Sequence, residues 1–282
     1  MSIRPRRSVL YMPGANERAM EKARTLAADT LILDLEDSVA PEAKAEARSR
    51  VAAAVKAGGY GRRELVIRIN GLDTPWGADD MQAAVAAAPD AILVPKVSTA
   101  EDIQRAALLM AQAPPRTRLW AMMETPLAIL NAKEIASAGP RLGCLVLGSN
   151  DLVKETRASA AGGRFALLPM LTACVLAARA YGLDVIDGVY NDFRDEAGFR
   201  AECQQGRILG IDGKTLIHPG QIAICNEVFS QAAEDVAWSR QVIAAFASPE
   251  NAAKGVITLD GKMVERLHLS MAERIAAIAG AT

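Results

Sequence analysis

The chain has 282 residues, 51% of them hydrophobic and 23% charged, with a formal net charge of −1. That length can build one large core or two smaller domains, and the composition is that of a soluble globular protein. Near-neutral charge excludes a basic field for nucleic acid or an anionic membrane; no run approaches the roughly 18 apolar residues of a membrane span, and no apolar secretory core follows the basic start, so a cytoplasmic protein is expected.

In chain order, the basic RPRR at Arg4 to Arg7 reads either as an exposed arm or as an anion site. The first apolar run, SVLYMP (8 to 13), leads into PGAN, where Asn16 can cap a helix and the loop offers a weak phosphate seat. The second run, TLILDLED (30 to 37), ends in Asp34, Glu36 and Asp37. Strand alternation would set Asp34 and Glu36 on one face and Asp37 on the other. ELVIRIN (64 to 70) ends in Arg68 and Asn70, and AILVPK (91 to 96) in Lys96. RLWAMMET (118 to 125) ends in Glu124, and the Pro126 that follows suits the first turn of a helix. CLVLGSND (144 to 151), LDVIDGV (183 to 189) and KTLIHP (214 to 219) close on Asn150 with Asp151, on Asp187 and on His218. Alanine-rich segments such as VAAAVKAG and MQAAVAAAP lie between the runs. Cys144, Cys174, Cys203 and Cys225 are far apart, without a C-x-x-C spacing, and read as reduced core thiols.

Eight near-continuous apolar strands, each followed by a helical segment, predict a closed (β/α)8 TIM barrel, with a doubly wound open sheet as the alternative. The expected barrel spans residues 1–247 and includes a long helix from Gly220 to Phe246. Residues 248–282 form a C-terminal helical appendage with a turn at Asp260 and Gly261. In a barrel the polar strand ends converge on one rim, where barrel enzymes keep their active sites.

Glu124 and Asp151, at the ends of consecutive strands and without a nearby His or Cys, suit a hard cation such as Mg2+. An acid/base pair without metal, or ion pairs to Arg68 and Lys96, would use the same residues. Arg68 offers a fixed fork for a carboxylate or carbonyl oxygen, or else balances Glu36 and Asp37. Lys96 at a strand end keeps a Schiff-base aldolase open. The absence of G-x-S-x-G and G-x-G-x-x-G speaks against serine hydrolysis and dinucleotide binding.

As an ordered set, RRSVLYMPGAN, DTLILDLEDSVAPEAKAEAR, VIRING, AILVPKV, METPLAI, LGSNDL, DGVYNDFRDEAGFRAECQQGRILGIDGKTLIHPGQI and LDGKMVE resemble the citrate lyase β subunit and its free-standing relatives. Those relatives include malyl-CoA and citramalyl-CoA lyases, Mg2+-dependent acyl-CoA aldol lyases. The resemblance spans essentially the whole chain. It implies Glu124 and Asp151 as Mg2+ ligands, with Glu124 also near the substrate, and Arg68 on a substrate carboxylate or carbonyl oxygen. Glu36 and Asp37 would border the metal, and Arg7 would bind a phosphate of coenzyme A. Asp260 would be the acid/base residue, delivered by the appendage to a neighbouring subunit's site in a homo-oligomer, a trimer or hexamer. The implied reaction is reversible cleavage of a 3-hydroxyacyl-CoA, of malyl- or citramalyl-CoA type, into an acyl-CoA and a 2-oxo acid. A citrate lyase β subunit, a thioester-hydrolysing synthase and a non-catalytic acid-binding barrel are the alternatives.

Overall fold

The computed structural model describes residues 4–159 and 163–281. Runs rich in β-branched and aliphatic side chains form strands because both faces are buried, one inside the barrel and one under helices. They are β1 (Ser8–Pro13), β2 (Thr30–Asp34), β3 (Glu64–Arg68), β4 (Ala91–Val94), β5 (Arg118–Met123), β6 (Leu142–Leu147), β7 (Asp184–Asp187) and β8 (Gly213–Leu216). All are parallel and pair in sequence order, and β8 closes on β1, so the open-sheet alternative is excluded. Eight helices, α1 (Glu17–Ala23), α2 (Lys44–Ala57), α3 (Gly77–Ala87), α4 (Ala100–Leu109), α5 (Pro126–Leu130), α6 (Ala132–Ala136), α7 (Ser149–Thr156) and α8 (Leu168–Ala180), intervene up to β7. Then α9 (Glu196–Ile208) precedes β8 and α10 (Ile222–Phe229) follows it.

The interior is packed by Val9, Ile32, Val66, Leu93, Trp120, Met122, Val146 and Ile186. At the N-terminal ends of the strands Arg6 closes the barrel: its guanidinium pairs with Glu64 and Asp184 and lies 4.9 Å above the Trp120 ring. At the other end, Pro13, Asp34, Arg68 and Leu93 stand in one register across β1 to β4, so the polar strand ends come level at one rim. All four cysteines are buried and free. Among the described residues no helix is long and apolar enough to cross a membrane.

Two compact units are present. The barrel occupies Arg6–Val228, and the second unit takes the chain from Phe229 onward together with the residues before Arg6. The single long helix expected over Gly220 to Phe246 is instead a 3-10 turn at Pro219–Gln221, α10, and α11 (Ala233–Ala247), because Ala232 takes an extended backbone, φ −63° and ψ 143°, that interrupts it. In the second unit, α11, an antiparallel hairpin of β9 (Val256–Leu259) and β10 (Lys262–Glu265), and α12 (Arg266–Ala281) enclose a small core of Val242, Phe246, Ile257, Val264 and Ala272. Asp260 and Gly261 form the two-residue hairpin turn with φ of 49° and 75°, the left-handed pair such a turn requires.

Candidate active site

The rim is organised by Arg68. Its register partner on the neighbouring strand is Asp34, and the two form a bidentate pair, Nε to Oδ1 at 2.6 Å and Nη2 to Oδ2 at 2.8 Å. The guanidinium also lies 4.7 Å above the ring of Tyr11. Burial works to raise the Asp34 carboxyl, but Arg68 and the N–H groups of Glu36 and Ser38 outweigh it and hold the carboxyl below its ordinary range. Those N–H bonds curl the chain after Asp34, and Lys44 Nζ fixes the turn by donating to the carbonyls of Leu35 and Glu36.

The turn corrects the expected facing of the acidic string. Because β2 ends at Asp34, alternation does not continue, and Asp37 Oδ2 reaches Arg68 Nη1 at 3.3 Å on the same side as Asp34 and Glu36. Glu36 Oε2 lies 2.8 Å from the same Nη1 but off its N–H direction, so this buried oxygen has no hydrogen-bond donor. Burial, opposed by Arg68 and reinforced by the neighbouring carboxylates, pushes the Glu36 carboxyl up to about 8.

The second cluster joins three loops. Glu124, 2% exposed, follows β5. Its Oε1 accepts the Lys96 backbone N–H at 2.7 Å and lies 3.6 Å from Lys96 Nζ, which in turn is 2.6 Å from Asp151 Oδ1 in the first turn of α7. Both carboxylates therefore point at one ammonium. Burial raises the Glu124 carboxyl above its ordinary value, against the pull of Lys96. Gly148 makes the arrangement possible: a Cβ there would meet Glu124 Cβ at 2.3 Å and Oε2 at 2.7 Å. Thr125 caps α5, accepting from Ala128 N at 3.0 Å, and Pro126 occupies its first turn as expected, which lets the chain stop abruptly after Glu124.

Between the clusters lies a cavity of about 300 Å³, lined by Tyr11, Asp34, Asp37, Arg68, Glu124, Asn150, Asp151 and Asn191 with Met122, Leu147 and Val189. It is large enough for the head of a small carboxylic acid. Two carboxylates aimed at one point already held by a cation, with no His or Cys beside them, are a donor set for a hard divalent ion that keeps several waters. Among the described residues no group of three or more His, Cys, Asp or Glu is placed to hold a metal ion.

Residues 7–219 match the HpcH/HpaI aldolase/citrate lyase family. The chain belongs to this family. It is 51% identical over 277 residues to a (3S)-malyl-CoA thioesterase of Cereibacter sphaeroides, covering 98% of this chain and 95% of that protein. It is 37% identical to the citrate lyase subunit beta of Escherichia coli, covering 96% and 94%, and 35% identical to an L-malyl-CoA/beta-methylmalyl-CoA lyase of Cereibacter sphaeroides over the same shares. Among solved structures, the CitE protein of Mycobacterium tuberculosis in complex with magnesium, acetoacetate and coenzyme A superposes with a TM-score of 0.76 at 28% identity, covering 99% of this chain and all of that one.

Within the family barrel the expected residues fall into three groups. Arg68, Glu36, Asp37, Glu124 and Asp151 are brought together at the rim. Arg7 is not: it stands before β1 at the opposite end, its Nε and Nη2 on the carboxylate of Asp29 at 2.8 Å each, because a residue preceding a strand lies at the barrel bottom. Asp260 is exposed in the hairpin turn of the second unit. The expectation that every polar strand end joins one cluster also needs correction. Asn70, past the end of β3, turns outward to Asp80 and the Leu35 carbonyl, and Asp187 is buried against Arg164 and Lys214, since it alternates with the inward-facing Ile186. Lys96 does not suit a Schiff base: partial burial would lower its pKa, but the Asp151 hydrogen bond and the field of Glu124 hold it above the ordinary value, so the amine stays protonated. Tyr11 and Gly148 are site residues that strand-end reasoning passes over, whereas Asp34 is a strand end whose pairing with Arg68 follows from their shared register.

Proposed function

We propose that this chain is a Mg2+-dependent enzyme acting on 3-hydroxyacyl-CoA thioesters of the malyl class, breaking the bond between C2 and C3 to give a 2-oxo acid and an acyl-CoA. The observation that carries the reading is the convergence of Glu124 and Asp151 on one cationic point across a small cavity from Arg68. Glu124 and Asp151 would hold the ion. When bound, Mg2+ supplies Lewis-acid polarisation of the hydroxyl and carboxylate oxygens of the substrate head.

The chain's own groups supply the rest. Asp34 occupies one edge of the Arg68 fork and fixes its plane, so Nη1, beside Glu36 and Asp37 and donating weakly to Met122 Sδ, is the corner that can turn to a substrate carboxylate or carbonyl oxygen. Glu36 Oε2, without a donor, is placed to receive the hydroxyl proton once its carboxyl, pushed up to about 8, is ionised, so this step gains as pH rises through about 8. As that proton leaves, the C3 oxygen becomes a carbonyl, the C2–C3 pair of electrons passes to the thioester as an enolate, and an acid returns a proton to C2. Asp260 of a neighbouring copy in a homo-oligomer is the acid we propose. Mixing Glu124→Ala and Asp260→Ala proteins should then restore part of the activity, and no recovery after verified subunit exchange would remove Asp260 from the scheme.

A second reading is favoured by identity: 51% to a malyl-CoA thioesterase against 35% to a malyl-CoA lyase. Here water adds to the thioester carbonyl and the C–S bond breaks, releasing a carboxylate and the protonated thiol of coenzyme A. One experiment separates the readings. With (3S)-malyl-CoA and Mg2+, cleavage yields glyoxylate and acetyl-CoA, whereas hydrolysis yields malate and free thiol. Citramalyl-CoA and citryl-CoA in the same panel report the acceptor and the citrate lyase alternative. Binding of 2-oxo acids with no product from any thioester would leave the non-catalytic barrel.

A further inference from the structure

Lys96 leaves β4 with φ of 54°, a left-handed backbone that is unfavourable for a residue with a side chain. The conformation has two results. It turns the Lys96 N–H onto Glu124 Oε1, and it carries Nζ to a point 3.6 Å from that same oxygen and 2.6 Å from Asp151 Oδ1. The two carboxylates come from different strands, and Lys96 is the cation they share. Arg68 is committed elsewhere, to Asp34, Glu36 and Asp37.

We infer that Lys96 is an internal counter-cation: its ammonium holds the place of the divalent ion between Glu124 and Asp151 when the ion is absent, and swings out when the ion binds. The inference rests on the reading that these two carboxylates hold Mg2+. Magnesium needs its oxygens at about 2.0–2.1 Å in near-octahedral geometry, and an ammonium cannot keep both carboxylates alongside it. Charge repulsion between the two cations points the same way. Lysine suits the exchange, because its compact charge rides on a flexible stem and, at 41% side-chain exposure, has water to move into. The N–H bond to Glu124 does not depend on the ammonium, so the carboxylate remains aimed after Nζ departs. Metal loading and the freeing of a mobile positive group at the rim then become one event.

The test uses the full-length protein without substrate. Mg2+ is titrated calorimetrically and Mn2+ by electron paramagnetic resonance on wild type, Lys96→Met, Lys96→Gln, Lys96→Arg and Glu124→Gln. If the ammonium occupies the site most of the time, removing it should tighten apparent ion binding roughly three- to tenfold, the inverse of the competent fraction. Lys96→Arg should bind no more tightly than wild type. Lys96→Met should also melt below wild type in EDTA and gain more from saturating Mg2+; Lys96→Gln carries the same expectation should Lys96→Met fail to fold. Unchanged or weaker binding in both neutral variants, with wild type binding and Glu124→Gln not, would overturn the inference alone. No ion binding by wild type at all would overturn the site reading and the inference with it.

Discussion

The two ends of the barrel use the same parts to different ends. At the bottom, Arg6 lies on the face of Trp120 and closes on Glu64 and Asp184; at the rim, Arg68 lies on the face of Tyr11 and closes on Asp34. The difference is in what remains. The rim adds Glu36, Asp37, Glu124 and Asp151 beside a cavity, so that five carboxylates there face Arg68 and Lys96. The plug sets one guanidinium against two carboxylates, whereas the rim sets two cations against five. An excess of negative charge, part of it buried, is what a divalent cation offsets.

The largest expected effect tests the shared part of this comparison. Arg68→Met strands the buried Asp34 and Arg6→Met strands the buried Glu64, so each should cost about 3–5 kcal/mol in denaturant unfolding. The comparison then predicts a split. Arg6→Met protein that folds should retain its Mg2+-induced rise in melting temperature and its KM, while Arg68→Met should lose substrate turnover by at least about a hundredfold. Equal losses of activity from both ends would mean that the bottom plug also shapes the rim.

The unmatched charge should also be visible in the pH dependence of the metal-free protein. Glu36 has an ordinary pKa of 4.5 and is pushed up to about 8 in the fold, so folding binds a proton between those values. The native state is favoured by this group below about pH 4.5, and that contribution is lost as pH rises through about 8, with a slope of up to about 1.4 kcal/mol per pH unit for one proton. Urea unfolding in EDTA should therefore show wild type losing stability relative to Glu36→Gln across that window. Parallel curves would place a donor on Glu36 that the geometry lacks.

A smaller effect tests how tightly the rim is assembled. Gly148→Ala forces a Cβ against Glu124, and the displaced carboxylate should cost about 1–3 kcal/mol and weaken Mg2+ binding. Gly148 has φ −101°, so the penalty is one of space and not of backbone conformation. Ala at this position with unaltered Mg2+ affinity would show that Glu124 is not held by the close approach of the β6–α7 turn.

The sequence made the barrel legible because eight apolar runs with polar ends leave little freedom in register or order, and all eight strands fall inside or beside the expected runs. It also exposed Arg68, Glu124 and Asp151, since a charge at the tip of a buried strand must meet a partner. What it hid were departures from regular geometry. The turn after Asp34, the left-handed backbone at Lys96 and the outward turn of Asn70 past the end of β3 each depend on tertiary contacts, not on alternation. Arg7 shows another limit: resemblance suggests a residue's role, but only its position before β1 tells which end of the barrel it occupies.

The smallest effect distinguishes the partners of Arg68 from one another. Asp34 is buried and takes two guanidinium nitrogens, whereas Asp37 is 74% exposed at 3.3 Å from Nη1. Asp37→Asn should therefore alter stability by no more than about 1 kcal/mol, the range of surface ion pairs. Its effect on substrate has a definite sign. Asp37 competes for the corner of Arg68 that would receive an anionic oxygen, so removing its charge should lower KM for the thioester by about two- to threefold with little change in kcat, as loss of a ground-state competitor requires. A raised KM would instead make Asp37 a substrate or metal-water partner, and the unmatched charge of the rim would then include a carboxylate that works by contact and not by field.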